Sequence, residues 1–125
     1  MSKILFITAS NEDRNYYSEL IAKNINIELR NDAKDGVHGY KVFSEMQPDL
    51  CIVDTILPGA SGLDLVTNIH KSKIVSNVLM ITSVKNRTII ERLLRAGVNN
   101  ILIKPFSDNE FLTTVKNCLE LTIQE

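Results

Sequence analysis

The stretch Pro48-Asp49-Leu50-Cys51-Ile52-Val53-Asp54-Thr55-Ile56-Leu57-Pro58-Gly59-Ala60-Ser61-Gly62-Leu63-Asp64 decides the fold. Its centre, Leu50 to Val53, is continuously apolar rather than alternating. That pattern marks a strand covered on both faces, as in a parallel sheet with helices on each side. The run ends on the carboxylate of Asp54, passes a Leu57-Pro58-Gly59 turn and reaches Ser61, which stands three residues before Asp64. Ser-x-x-Asp is the spacing with which side chains cap a helix start. One strand, one turn and one helix are therefore readable in a single segment.

Outward from it the same unit repeats. Short β-rich runs cover 3–8, 26–30, 50–54, 78–83 and 99–103, with helical patterns between them. Val78-Leu79-Met80-Ile81 is again continuously apolar. Ser107 with Glu110 repeats the cap spacing, and Gly97 follows Ile90, Leu93 and Leu94 as a left-handed stop. A last helix over 108–121 places Phe111, Leu112, Val115, Cys118 and Leu119 on one stripe, which should close the fold against the sheet. The reading is α/β, a doubly wound five-stranded parallel sheet, in a single domain over 1–125. There is no repeat and no linker.

With 125 residues, 44% apolar and 23% charged, the chain has enough material for one real core and too little for two. A formal charge of -1 argues against the positive field that holds a protein to nucleic acid or anionic lipid. No apolar run approaches the roughly 18 residues of a membrane span. A cytoplasmic protein without a membrane contact is expected. Cys51 and Cys118 lack metal-ligand or disulfide spacing and read as buried, reduced thiols.

Open parallel sheets collect reactive groups outside the carboxyl ends of their strands. The groups delivered there are Thr8, Ala9 and Ser10, then Asp54, then Thr82 and Ser83, then Lys104. A carboxylate, a hydroxyl and an ammonium that face one another suit phosphoryl chemistry, with the carboxylate as nucleophile and the other two stabilising the added oxygens.

The Pro48 to Asp64 segment resembles the phosphoacceptor segment of bacterial two-component response-regulator receiver domains. Val78 to Ser83 resembles the family's strand ending in Thr or Ser, Lys104-Pro105-Phe106 its Lys-Pro-Phe turn, and Asp35-Gly36 the entry to its second helix. The resemblance implies the flavodoxin-like receiver fold with strand order 2-1-3-4-5. It implies Asp54 as phosphoacceptor, Thr82 as the hydroxyl that moves to the phosphoryl group, Lys104 as the residue bridging to it, and a cis peptide at Lys104-Pro105. The domain is then a whole protein or the N-terminal part of a longer regulator.

Two departures stand beside these matches. Receivers end the first strand with two adjacent acids that hold Mg²⁺, and the matching positions are Thr8 and Ala9. Mg²⁺ binding is expected to be weak or absent, so no cofactor and no metal site are assigned. Glu12 and Asp13 are expected in the first turn of the first helix, facing solvent. At the fifth-strand position where receivers often carry a switching aromatic ring stands Ile101, which has no polar end to alternate between water and core.

The leading reading is an atypical receiver, not an enzyme, that acts as a protein-interaction module with impaired metal-dependent phosphorylation. The alternative within the family is a conventional receiver phosphorylated on Asp54 by a histidine kinase. Thr8-Ala9-Ser10-Asn11 also superficially fits a flavodoxin-like, cofactor-binding loop, although it lacks glycine and precedes two acids. Lys85, Arg87, Arg92 and Arg95 set four cations against Glu91 around the fourth helix. Arg92 and Arg95 lie on the side away from Ile89, Ile90 and Leu93, as a solvated face or as a docking surface formed with the fifth strand and last helix, for a protein partner or a second copy. His38 and His70 have no ligand partners and are expected in solvent; Tyr16, Tyr17 and Tyr40 read as partial core or helix surface.

Overall fold

A computed structural model of the chain describes residues 1–123. Five strands and five helices alternate: β1 Lys3–Ile7, α1 Asn11–Asn24, β2 Glu28–Arg30, α2 Gly36–Met46, β3 Leu50–Asp54, α3 Gly62–Lys71, β4 Asn77–Thr82, α4 Arg87–Arg95, β5 Asn100–Ile103 and α5 Asp108–Ile123. The strands form one parallel sheet in the order β2-β1-β3-β4-β5. Register brings Leu5 beside Cys51, Ile52 beside Leu79, and Met80 beside Ile101.

Both faces of the sheet are buried, which is why the central strands carry no polar alternation. Leu5, Ile7, Cys51, Val53, Val78 and Met80 pack on the side of α2 and α3. Ile4, Phe6, Leu50, Ile52, Leu79 and Ile81 pack on the other side, against Ile21 of α1 and Phe111, Val115, Cys118 and Leu119 of α5. The last helix thus closes the fold as its stripe requires.

The helix starts follow their caps. Ser10 accepts from Asp13 N, Asp35 from His38 N, Ser61 from Asp64 N and Asn86 from Thr88 N. Ser107 and Glu110 bond reciprocally, with Glu110 N 3.0 Å from Ser107 Oγ and Ser107 N 3.5 Å from Glu110 Oε1. Each satisfies backbone N–H groups that have no partner inside the first turn. Gly97 ends the α4 region at φ +112°.

Strand ends differ from expectation by one or two residues. Thr8 and Ser83 fall outside the sheet because Thr8 Oγ1 takes Ser10 N and Thr82 Oγ1 takes Val84 N, turning the chain away from the ladder. Around α4 the reading needs correction. Lys85 precedes the helix, whose cap is Asn86, and of the expected inward residues only Leu93 is buried. Ile89 and Leu94 are exposed by 38% and 50%. Nine residues carrying Ile89, Ile90, Leu93 and Leu94 spread apolar surface over too wide an arc for the pattern to fix the helix's rotation.

Candidate functional site

The strand order reverses direction between β1 and β3, and ligands in such sheets bind outside the strand carboxyl ends at that switch point. Asp54 closes β3 there, half-buried, and Thr8 follows β1 beside it, buried to 1% exposure. A pocket of 380 Å³ opens between Ala9, Ser10, Asp54, Thr82, Ser83 and Lys104, with exposed Ile56 at its rim. The structure therefore brings together Asp54, Thr82 and Lys104, with Ala9 at the pocket and Thr8 directly behind it.

The hydrogen bonds are particular to this chain. Thr8 Oγ1 donates to Asp54 Oδ2 at 3.1 Å while accepting from Ser10 N at 3.1 Å. Asp54 Oδ1 accepts from Ile56 N at 3.4 Å. Thr82 is buried, and its hydroxyl accepts from Val84 N at 3.1 Å; its proton has no acceptor among the described residues. That leaves a donor facing the pocket. Lys104 is set in place by its backbone N, which donates to Thr82 O at 2.8 Å, and by the following cis Lys104-Pro105 peptide. Phe106 then packs against both Tyr17 and Phe111, tilted to the first at 5.6 Å and stacked on the second at 5.9 Å, so aromatic packing from α1 and α5 holds the turn that carries Lys104.

The Lys104 ammonium does not pair with Asp54. It lies 3.3 Å from Asp13 Oδ2, and this is its ion pair among the described residues. The expectation that Asp13 faces solvent is corrected: its capped place in the first turn of α1 aims the carboxylate across to the fifth-strand loop. Glu12 is exposed as expected.

Arg14 escaped the sequence reading. It is 7% exposed, donates from Nη2 to the carbonyl of Thr8 and from Nη1 to Asn11 Oδ1 at 2.5 Å, and its Nε has no partner. No carboxylate pairs with it among the described residues, so a buried cation supports the loop whose Thr8 and Ala9 stand where receivers carry an acidic pair. The available signal was a charge on the inward stripe of α1, where Arg14, Ser18 and Ile21 recur at helical spacing.

Other expected residues fall as follows. Ile101 is half-buried and packs against the α2/α3-side core. Arg92 and Arg95 are exposed, away from the pocket. His70 is exposed and His38 half-buried. Tyr17 is partly buried, and burial, followed by the charges of Asp13 and Asp108, pushes its phenol up. Tyr16 is a surface residue whose hydroxyl donates to the Asp108 carboxylate at 2.7 Å, a bond that also raises its phenol above the ordinary value. The donor set fits Mg²⁺ poorly. Asp54 is the pocket's one carboxylate, one of its oxygens already accepts from Thr8, and no group of three His, Cys, Asp or Glu among the described residues could hold a metal.

The response regulator receiver domain model matches residues 4–116. The chain belongs to that family. Among curated relatives it is 22% identical to the chemotaxis protein CheY of Halobacterium salinarum, over 94% of this chain and 96% of that protein. It is 35% identical to the Regulator of RpoS of Escherichia coli over 70% of this chain, which accounts for 26% of that longer protein. Among solved structures, CheY4 of Vibrio cholerae superposes with a TM-score of 0.86 at 21% identity, covering 95% of this receiver and 99% of that chain. A LuxR-family DNA-binding response regulator from Staphylococcus aureus gives 0.88 at 23%, covering 95% and 99%. These two likenesses concern the fold. Receiver domains are signalling modules of two-component systems and work with histidine kinases and effector domains. The β1–α1 loop gives no support to a flavin carrier, because the Thr8 and Ser10 hydroxyls are spent on Asp54 and on the α1 cap.

Proposed function

We propose that this receiver is an atypical one, working in the cytoplasm as a protein-interaction module whose metal-dependent phosphorylation of Asp54 is impaired. The observation that carries the reading is the Thr8 hydroxyl on Asp54 Oδ2, in the place where an acidic pair would hold Mg²⁺. Phosphoryl transfer relies on a cation to neutralise charge as the phosphate meets a carboxylate. One carboxylate with one oxygen engaged is a weak site for an ion that demands octahedral oxygen coordination. Arg14, buried and unpaired behind the loop, further disfavours a divalent cation there.

In this reading Asp54 is the family's phosphoacceptor position, Thr82 and Lys104 are its partners, and Ile101 replaces the switching ring with a half-buried aliphatic packed against the core. Signalling runs through α4, β5 and α5, with Arg92 and Arg95 as contacts to an acidic protein partner or a second copy. The module itself is not an enzyme.

A conventional receiver, phosphorylated on Asp54 by a histidine kinase, is the second reading. It is favoured by the pocket that gathers Asp54, Thr82 and Lys104 and by the free proton of the Thr82 hydroxyl. Intact mass measured after incubation with acetyl phosphate, with and without Mg²⁺, separates the two. The first expects no phosphorylated species, or a trace indifferent to Mg²⁺; Mg²⁺-dependent phosphorylation that disappears in Asp54→Ala establishes the second.

A further inference from the structure

At the amino edge of the sheet, opposite the Asp54 pocket, a cleft of 560 Å³ lies between the ends of α3 and α4 and the starts of β4 and β5. It exceeds the 380 Å³ of the Asp54 pocket and falls in the size range of binding clefts. Its floor is apolar, from Val66, Ile69, Val78 and Val98. Its walls carry His70 and Lys73, and no acidic residue lines it. The His70 ring lies so close against the chain after α4 that a Cβ on Gly97 would come within 2.8 Å of Nδ1, which fixes the imidazole as a wall.

Two further features distinguish this cleft from an ordinary helix end. Cations favour helix C-termini, which accounts for His70 and Lys71 in the last turn of α3. It does not account for Lys73, which stands beyond the helix at φ 65°. None of His70, Lys71 and Lys73 has an ion pair among the described residues, whereas Arg87 and Arg95 share Glu91. The rim is also greasy: Val75 is 76% exposed and Leu94 is 50% exposed, on either side of the opening. Exposed aliphatics beside Lys73, with no acid in the lining, form a surface that lacks its complement.

We infer that this cleft docks an acidic peptide segment of a partner protein, with an aliphatic or aromatic side chain of that segment seated between Val75 and Leu94 and a carboxylate facing Lys73. The charge defines the acidic partner, and the two exposed rim aliphatics favour a peptide with an apolar anchor over a small anion. Its lining includes Leu94 of α4 but neither Arg92 nor Arg95, and the site does not depend on the chemistry of Asp54.

The test uses the full chain and a display library of short random peptides. Selected sequences should combine Asp or Glu with Leu, Ile or Phe, and a synthetic version should shift the amide resonances of residues 73–77 and 97–99. Lys73→Glu, and separately Leu94→Ser, should each weaken binding by about tenfold or more. Both variants change exposed side chains, and unchanged circular dichroism verifies their folding. Val75→Ser repeats the apolar arm if Leu94→Ser is unstable. Added salt should weaken the contact. Selection of no peptide, of neutral or basic peptides, a footprint elsewhere, or indifference to the Lys73 reversal would overturn the inference. So would saturable shifts of the same amides by inorganic phosphate alone, which would assign the cleft to small anions.

Discussion

The Lys104 ammonium sits 3.3 Å from a carboxylate oxygen of Asp13, in the first turn of α1, and makes no ion pair with Asp54. An acid of the helix after β1, rather than the phosphoacceptor position, holds the lysine. Both side chains are about one-third exposed, so solvent screens the pair and it contributes at most about 1 kcal/mol to stability. Its effect is on position. Asp13→Asn should leave the unfolding midpoint nearly unchanged and should move the ¹⁵N resonance of the Lys104 side chain more than Asp54→Asn does. The reverse order would place Lys104 on Asp54 in solution.

The same pocket should ignore magnesium. With Thr8 on Asp54 Oδ2 and no second acid, titration to about millimolar Mg²⁺ should leave the amide resonances of Asp54, Thr55 and Ile56 unmoved. Saturable shifts confined to these residues would mean that Asp13 leaves Lys104 to ligate the ion, and Asp13→Asn would then abolish them.

Much of this architecture was legible because burial on both faces leaves a mark on the sequence. Leu50 to Val53 and Val78 to Ile81 carry no polar alternation, and the caps at Ser61 and Ser107 fix where helices begin. The positions of Asp54, Thr82 and Lys104 follow from their places at strand ends. What stayed hidden depends on reach and rotation. Asp13 reads as a solvent-facing acid until β5 is placed opposite α1, because its partner is ninety-one residues away. Arg14 reads as surface until its guanidinium is found donating to the Thr8 carbonyl. The rotation of α4 is fixed by tertiary contact at Leu93 alone.

Gly36 has a purely steric requirement. A Cβ there would lie 2.0 Å from the carbonyl oxygen of Ala60 and 2.7 Å from its carbon, both backbone atoms of the loop that leads from Asp54 into α3. Backbone cannot move aside as a side-chain tip does. Gly36→Ala should therefore cost at least about 1–3 kcal/mol in urea denaturation, while broadening amide signals near Ala60. A loss below about 0.5 kcal/mol, the size of an ordinary surface change, would show that the loop is not fixed against α2.

The two thiols should be silent in the folded protein. Cys51 is fully buried and Cys118 nearly so, and burial pushes both thiols up from their ordinary value, with Asn100 Nδ2 opposing part of the shift at Cys118. The neutral form is favoured by folding, so this contribution to stability is complete below the unfolded thiol's pKa of about 8.5 and is lost as pH rises beyond it. Iodoacetamide at pH 8 should modify neither cysteine natively and both in denaturant. Rapid native labelling of Cys51 would mean that β3 opens locally.

The surface of α4 gives the most direct test of how the receiver signals. Arg92 is exposed and makes no ion pair among the described residues, while Arg95 reaches Glu91 at 3.8 Å and competes there with Arg87 at 3.0 Å. The positive charge of this face is therefore mostly uncompensated and available to an acidic partner or a second copy. Reversing both residues, Arg92→Glu with Arg95→Glu, sets a new acid four positions from Glu91 and two acids in the last turn of α4, and should cost about 1–2 kcal/mol of helix stability. Folding should survive and partner capture should not. Because exposed charges act mainly on association and are screened by salt, capture by the wild-type chain should weaken as ionic strength rises, chiefly through a slower on-rate. Asp54→Ala is the discriminating comparison. If this face acts without phosphorylation, that change leaves capture nearly intact; if Asp54→Ala eliminates signalling in cells and the double arginine reversal is silent, the module answers to its phosphoacceptor after all.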